Sequence, residues 1–312
     1  MNRRAAAAAC IGLTGFCLVT FGLRGSGTPA DGPVILGPKP GYSPATVSAV
    51  SNEAAITRHI WMPGLDEGFD AQGLAIAGED ILVAAYRSES PDVHRGPCRV
   101  FHVDATTGSL RGQFEVPPPC GHAGGLATAA NGRLYVADTH TLFAADLADV
   151  FSGAPRLRVV PLGPGLTGAL AVSGADAIWL GTYREDGPGR LYRFTTAVLD
   201  RLPEGAALNM TDAVAQLAIP SDAQGAAIDA AGHLWVARSD LRWGELDRLD
   251  IASGKAEREY SAPPGIEGIA FDAAGRLWAV SEAGARHYYE GWRALVLPFY
   301  PLIFAIDPER LR

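Results

Sequence analysis

The stretch from Gly268 to Trp278, Gly-Ile-Ala-Phe-Asp-Ala-Ala-Gly-Arg-Leu-Trp, holds two apolar runs around a short polar turn. The Ala274-Gly275 step marks a tight hairpin, since glycine adopts the left-handed backbone that such turns need. The same pattern returns without a gap at Gly73–Ala85, Gly125–Ala137, Ala169–Gly181 and Gly225–Ala237, with turns at Asn131-Gly132 and Ala231-Gly232. A third apolar run, often ending in Asp, follows each hairpin: Arg99 to Asp104, Thr141 to Asp146, Leu191 to Phe194, Leu246 to Asp250 and Ile303 to Asp307. A fourth run precedes a Pro- or Gly-rich loop at Gln113–Val116, Arg156–Pro161, Val214–Ile219 and Glu257–Tyr260. Four-stranded antiparallel units repeated at this spacing are blades of a β-propeller. Five copies of the hairpin predict an all-β, five-bladed propeller over residues 54–312. The last copy lacks its fourth strand, and the run Ala55–Trp61 ahead of the first copy can supply it, closing the ring.

Composition agrees. Apolar residues are 48% and charged residues 19%, enough for a core, while 37 Gly and 22 Pro suit many short strands joined by turns. The formal charge of −8, with no Lys/Arg run, argues against a nucleic-acid partner. Residues 1–30 read as a secretory signal: Arg3 and Arg4, then the apolar Ala5–Leu23, then small residues to Ala30. The alternative is an uncleaved membrane anchor through residues 5–23, which has the length a span needs. Residues 31–53 read as a flexible Pro/Gly/Ser/Ala linker. A secreted or periplasmic monomer is the expectation. Cys98 and Cys120 are the cysteines left after the signal, and an even pair in an exported domain suggests one disulfide. Both fall at the same end of the first blade; a free thiol pair is the alternative.

The runs Gly125–Asp138 and Gly268–Trp278 resemble the NHL-repeat and senescence-marker/gluconolactonase superfamily of propellers, and streptogramin lyases are similar. The likeness covers residues ~55–312 at blade level and specifies fold better than activity. In related lactonases a Ca²⁺ or similar ion is held by a Glu ahead of the first strand and by Asn/Asp residues around the channel. Here only Glu267-Gly268 keeps the Glu-Gly step, Gln72 and Gln224 stand at two equivalent positions, and no Asn occupies the equivalent rings. In the lyase relatives a His and a Glu surround a metal, which His122, His140 and Glu267 could mimic.

Propeller geometry puts the loops entering the first strand and leaving the second on one face. Asp70, His122 and Asp222 precede the first strand; Gln72, Gln224 and Glu267 come two residues later; Tyr86, Asp138 and Arg238 leave the second strand. Arg87, His140, Arg184 and Glu282 follow closely. Such convergence at a channel mouth is the expected binding site. One reading makes His122 and Glu267 ligands of a divalent metal (Ca, Mg or Zn), with His140 or Asp138 as base. Another leaves both histidines bonded to loop backbone. The insertion from His287 to Pro301, rich in aromatics, could form a lid, a partner surface or a membrane-touching loop, or pack on its own blade. Asn209-Met-Thr211 matches a glycosylation acceptor. Two functions follow: a non-catalytic propeller that binds a small ligand or a protein at its mouth through Asp70, Gln72, Tyr86, Arg87, Arg184, Asp222, Gln224, Arg238 and Glu282, or a metal-assisted hydrolase or lyase.

Overall fold

Twenty strands of the computed structural model group into five sheets of four, and a short extra strand is added to one of them. The structure describes residues 33–153 and 155–312, so the signal or anchor expected over residues 1–30 lies outside the described residues. Blade I holds Phe69–Ala77, Asp80–Arg87, Cys98–Asp104 and Leu110–Val116. Blade II holds Gly125–Thr128, Arg133–Asp138, Thr141–Asp146 and Arg158–Pro161. Blade III holds Leu170–Val172, Ala177–Thr182, Gly189–Thr195 and Ala215–Ile219. Blade IV holds Ala223–Ile228, Leu234–Asp240, Trp243–Leu249 and Ala256–Ser261. Blade V takes Ile266–Phe271, Leu277–Ser281 and Leu302–Ile306 from the end of the chain, and Ile56–Trp61 from its beginning. The register Ile56↔Ile306 to Trp61↔Leu302 closes the ring as the repeat predicts.

The quoted repeat explains itself in atoms. Asp272 Oδ1 accepts from the backbone N–H groups of Ala274 (2.9 Å) and Arg276 (3.0 Å), fixing the turn, and Oδ2 accepts from Trp278 Nε1 (2.9 Å). Asp229 does the same for Ala231, His233 and Trp235 in blade IV. The hairpin glycines Gly132, Gly232 and Gly275 all have positive φ. Apolar residues fill the gaps between blades as five clusters, one per gap; Trp278, Phe101 and Ile303 meet between blades V and I, and Phe143, Leu82 and Val100 between I and II.

At the axis the constraint is tighter. A Cβ on Gly73 would stand 2.7 Å from Leu126 N, on Gly125 2.4 Å from Ala171 N, on Gly225 2.3 Å from Glu267 O, and on Gly268 2.3 Å from Leu74 N. Neighbouring first strands thus touch backbone to backbone, which only glycine permits. Just ahead of three of these glycines the register slips, between Ala71 and Gly73, Ala223 and Gly225, and Ile266 and Ile269. Such bulges re-aim a side chain, here Gln72, Gln224 and Glu267.

The linker expected over residues 31–53 is corrected from Val34 onward, which belongs to one compact unit with the blades. Ile35–Leu36 adds a parallel fifth strand beside Ile56–Trp61. Gly41 N and Tyr42 N donate to Asp66, Ser48 N donates to Phe299 O at 2.9 Å, Phe299 N donates to Ser48 Oγ at 2.9 Å, and Asn52 bonds Ser261 and Arg312. A polar, proline-bearing stretch can be ordered when its backbone groups find partners of this kind. The insert after blade III's third strand forms a short helix, Thr196–Arg201, capped by the Thr195 side chain.

Replacing Gly268 by Val should cost about 3 kcal/mol, the upper end for overpacking, because backbone on the neighbouring strand cannot yield. Gly112→Ala, whose new Cβ would meet Phe151 no closer than 3.4 Å, should unfold within a few degrees of the parent in a thermal melt. Equal melting of all three chains would contradict the axial packing.

Candidate functional site

Asp70 opens the first strand of blade I, Gln72 sits on its bulge, Glu267 sits on the equivalent bulge of blade V, and Glu282 follows blade V's second strand. All four are buried; Asp70 is 0% and Glu267 2% exposed. Gln72 Nε2 donates to Glu282 Oε2 at 3.4 Å. Neither oxygen of Asp70 makes a hydrogen bond of full geometry, although Tyr86, Glu282 and the Ala71 backbone stand close enough to act on its carboxyl. The nearest cationic candidate is His287 Nε2, 3.6 Å from Asp70 Oδ2, and both ring nitrogens of His287 are themselves unpartnered. No lysine or arginine among the described residues forms an ion pair with Asp70, Glu267 or Glu282.

Burial dominates the electrostatics. It raises the carboxyl of Glu282 to about 7. Burial, then the charge of Glu282, holds Asp70 and Glu267 well above the usual carboxylate range. Burial also lowers His287 to about 4, so that it is neutral near pH 7 and does not compensate the acids.

The insertion closes this cluster. His287 and Tyr288 are 4% and 5% exposed, and their rings lie against Tyr86 and each other. A line of polar atoms runs outward from Tyr86 Oη to Tyr288 Oη (3.4 Å) and on to His94 Nδ1 (2.7 Å). Tyr183 follows blade III's second strand, Ala177–Thr182, and so leaves it at the mouth face, 38% exposed; burial, then the charges of Asp222, Glu185, Glu267 and Glu282, raises it to about 12. The loops beneath are pinned by the Cys98–Cys120 disulfide, with Cα atoms 5.9 Å apart.

The structure therefore brings together Asp70, Gln72, Tyr86, Glu267 and Glu282 out of the predicted ring. His122 stacks on Tyr86 with centroids 5.0 Å apart, and its Nδ1 bonds His94 O at 2.8 Å. It does not join Glu267. Asp138, expected as a base, supports its loop: its Oδ1 accepts the N–H groups of Gly121 (3.2 Å), His122 (2.7 Å) and Ala123 (3.0 Å). His140 is exposed on a turn and offers its backbone oxygen to Leu162. Arg238 turns away from the mouth to Ser221 O, Glu245 and Asp247. Arg87 and Arg184 are exposed, and Asp222 is held in a positive-φ turn by its own loop. Gln224 is half-buried and bonds none of the cluster. His94 and Tyr183 carry no signal of their own in the sequence, whereas His287 and Tyr288 open the aromatic insertion from His287 to Pro301 that the sequence offers as a lid.

A metal ion needs its donors close together. Ligand bonds of about 2.3–2.6 Å keep any two atoms of a bare ion's shell within about 5 Å. Among the described residues, the one set of three Cys, His, Asp or Glu donors within 4.8 Å of each other is Cys98, Cys120 and Asp138, and its sulfurs are bonded to one another. The Asp70, Glu267 and Glu282 oxygens suit a hard ion chemically, but they are spread wider than one bare ion's shell.

No family model and no curated protein matches this sequence. Among solved structures, the glutaminyl cyclase of Myxococcus xanthus is similar at TM-score 0.52 and 14% identity, covering 81% of this chain and 94% of that one. The virginiamycin B lyase of Staphylococcus aureus aligns at TM-score 0.36 and 12% identity, over 68% and 78%. A PQQ-bound aldose sugar dehydrogenase of Streptomyces coelicolor aligns at 0.35 and 18%, over 69% and 78%. The likeness is one of fold.

Acids with raised folded-state pKa values hold protons that the unfolded chain has already released, so stability falls as pH rises toward those values. For Glu282 the rise from 4.5 to about 7 amounts to roughly 3 kcal/mol. The histidines lowered by burial oppose this trend up to about pH 7.5, above which they are neutral in both states. The Glu282 share is lost between about pH 4.5 and 7, so the melting temperature should fall from pH 7.5 to pH 9 as Asp70 and Glu267, held well above the carboxylate range, release their protons, and the double variant Asp70→Asn/Glu267→Gln should flatten that part of the profile. A parent profile that is level or rising over that window would refute the protonated cluster.

Proposed function

We propose that this protein binds a small organic cation, an ammonium or amine, at the mouth end of its channel. The observation that carries this reading is the fully buried Asp70, neither oxygen in a hydrogen bond of full geometry, beside two further buried carboxyls and no paired lysine or arginine. Taking carboxylates out of water costs several kcal/mol each unless a cation compensates them. The spread of the acids exceeds a bare ion, and the surrounding rings of Tyr86, Tyr183 and Tyr288 offer the aromatic faces that favour an ammonium group. The disulfide and the absence, among the described residues, of any helix long and apolar enough to cross a membrane are compatible with action outside the cytoplasm.

A second reading has one observation behind it. A carboxyl that titrates near 7 can both give and take a proton at neutral pH, so Glu282 equips the same cluster for general acid–base catalysis on the bound amine.

Calorimetry at pH 8 with methylammonium, tetramethylammonium and calcium chloride tests the binding reading. The organic cations should bind the parent chain, and Glu267→Gln or Asp70→Asn should weaken them about 10-fold or more, the range for a lost charged contact. Binding of calcium alone would replace the organic cation by an ion; binding of neither would end the reading.

A further inference from the structure

Apart from the buried acids, the mouth face carries a groove of about 420 Å³ between three loops that join second to third strands, those of blades I, IV and V. Leu241, Trp292, Val296 and Leu297 give it apolar walls. Trp292 is 69% exposed and Val296 is exposed as well, and large apolar side chains grouped in this way mark an interaction site. Two guanidinium-bearing residues, Arg242 and Arg293, line the same groove. Among the described residues no carboxylate lies within ion-pair distance of Arg242, and Arg293 reaches only the outlying Asp92, at 3.9 Å. The one acid of the lining, Asp240, turns its Oδ1 to the backbone N–H groups of Arg242 (2.6 Å) and Trp243 (3.1 Å) in its own turn. Tyr288 and His94, joined at 2.7 Å, line the inner end.

We propose that this groove binds a small amphiphilic anion, a carboxylate carried on an aryl or alkyl body. Arg242 and Arg293 take the carboxylate, and Leu241, Trp292 and Val296 cover the body. Charge complementarity carries the assignment. Guanidinium groups bind carboxylates through charge-assisted hydrogen bonds, and the protein's own acids make little competing demand on these two. Apolar walls alone would accept a neutral or a charged ligand; the arginines select the anion. The concave shape suits a single molecule. A bilayer of anionic lipid is the other source of such an anion, and a chain of net charge −8 is repelled by it at long range. The inference goes beyond the amine reading and does not rest on it, since none of the acids of the buried cluster lines the groove.

Calorimetry at pH 8 on the full chain tests this with 3-phenylpropionate, its neutral counterpart 3-phenylpropanol, and acetate. The parent should bind the aryl acid about 10-fold or more tighter than the alcohol, the range for a charged contact. Acetate, which lacks the body, should bind about 10-fold or more weaker than the aryl acid. The double variant Arg242→Gln/Arg293→Gln should bring the aryl acid down to the alcohol's affinity and leave the alcohol unchanged. Trp292→Ala should weaken acid and alcohol alike. If the parent holds the alcohol as tightly as the acid, binds neither, or keeps its preference in the double arginine variant, the anion site is wrong. The parent's own preference decides this even where a variant fails to fold. If 3-phenylpropionate does not bind but the chain sediments with vesicles of phosphatidylcholine and phosphatidylglycerol, and Trp292→Ala abolishes that, the groove meets a membrane and the small-ligand site is overturned. Each of these outcomes leaves the amine reading untouched.

Discussion

Close backbone contact at the axis governs this molecule. Four of the five first strands meet the next through a glycine, because the gap leaves no room for a Cβ. A ring with few blades turns sharply from each sheet to the next, and its inner strands crowd accordingly. The same crowding shapes the mouth. Register slips leave Gln72, Gln224 and, in blade V, Glu267 with Gly268 out of the ladder. Two of these residues, Gln72 and Glu267, end up buried beside Asp70 and Glu282. The acid cluster follows from the geometry that packs the strands, and loop invention is not needed to make it.

The fold was legible because its determinants are local and repeated. The Asp, Gly and Trp of the repeat each have a duty inside a single hairpin, as Asp272, Gly275 and Trp278 show. Period and turn chemistry therefore sufficed to count blades. The N-terminal strap was illegible for the opposite reason. Its partners, Asp66, Phe299, Ser261 and Arg312, lie far away along the chain, and nothing in a Pro/Gly/Ser stretch signals them.

The site divides in the same way. Equivalence between blades gave the height of each residue along the axis, which is why Asp70, Gln72, Tyr86, Glu267 and Glu282 could be grouped. It gave no account of competing partners. Arg238 shares its height with Tyr86, but Glu245 and Asp247 on the next strand hold it inside blade IV. Asp138 shares that height too, yet three backbone N–H groups of the loop beside the disulfide claim its Oδ1. The residues of the roof, His287 and Tyr288, come from an insertion with no counterpart in other blades, so no alignment could place them.

The acids are also unevenly distributed around the ring. Asp70 and Gln72 belong to blade I, Glu267 and Glu282 to blade V, and the corresponding second-ring positions in blades II and III are Gly124 and Gly168. Blades I and V are where the beginning of the chain meets its end. Ionising these carboxyls would set up repulsion between blades V and I, the seam at which the ring closes, and this repulsion together with burial is why they hold their protons. The strap from Val34 to Asn52 lies over that seam, bonding Asp66 on one side and Phe299 on the other. A cation between the acids would relieve the repulsion and hold the seam at once, and its binding free energy would add to the stability of the closed ring by mass action. Occupancy of the mouth and integrity of the propeller are thus linked through one buried patch of charge.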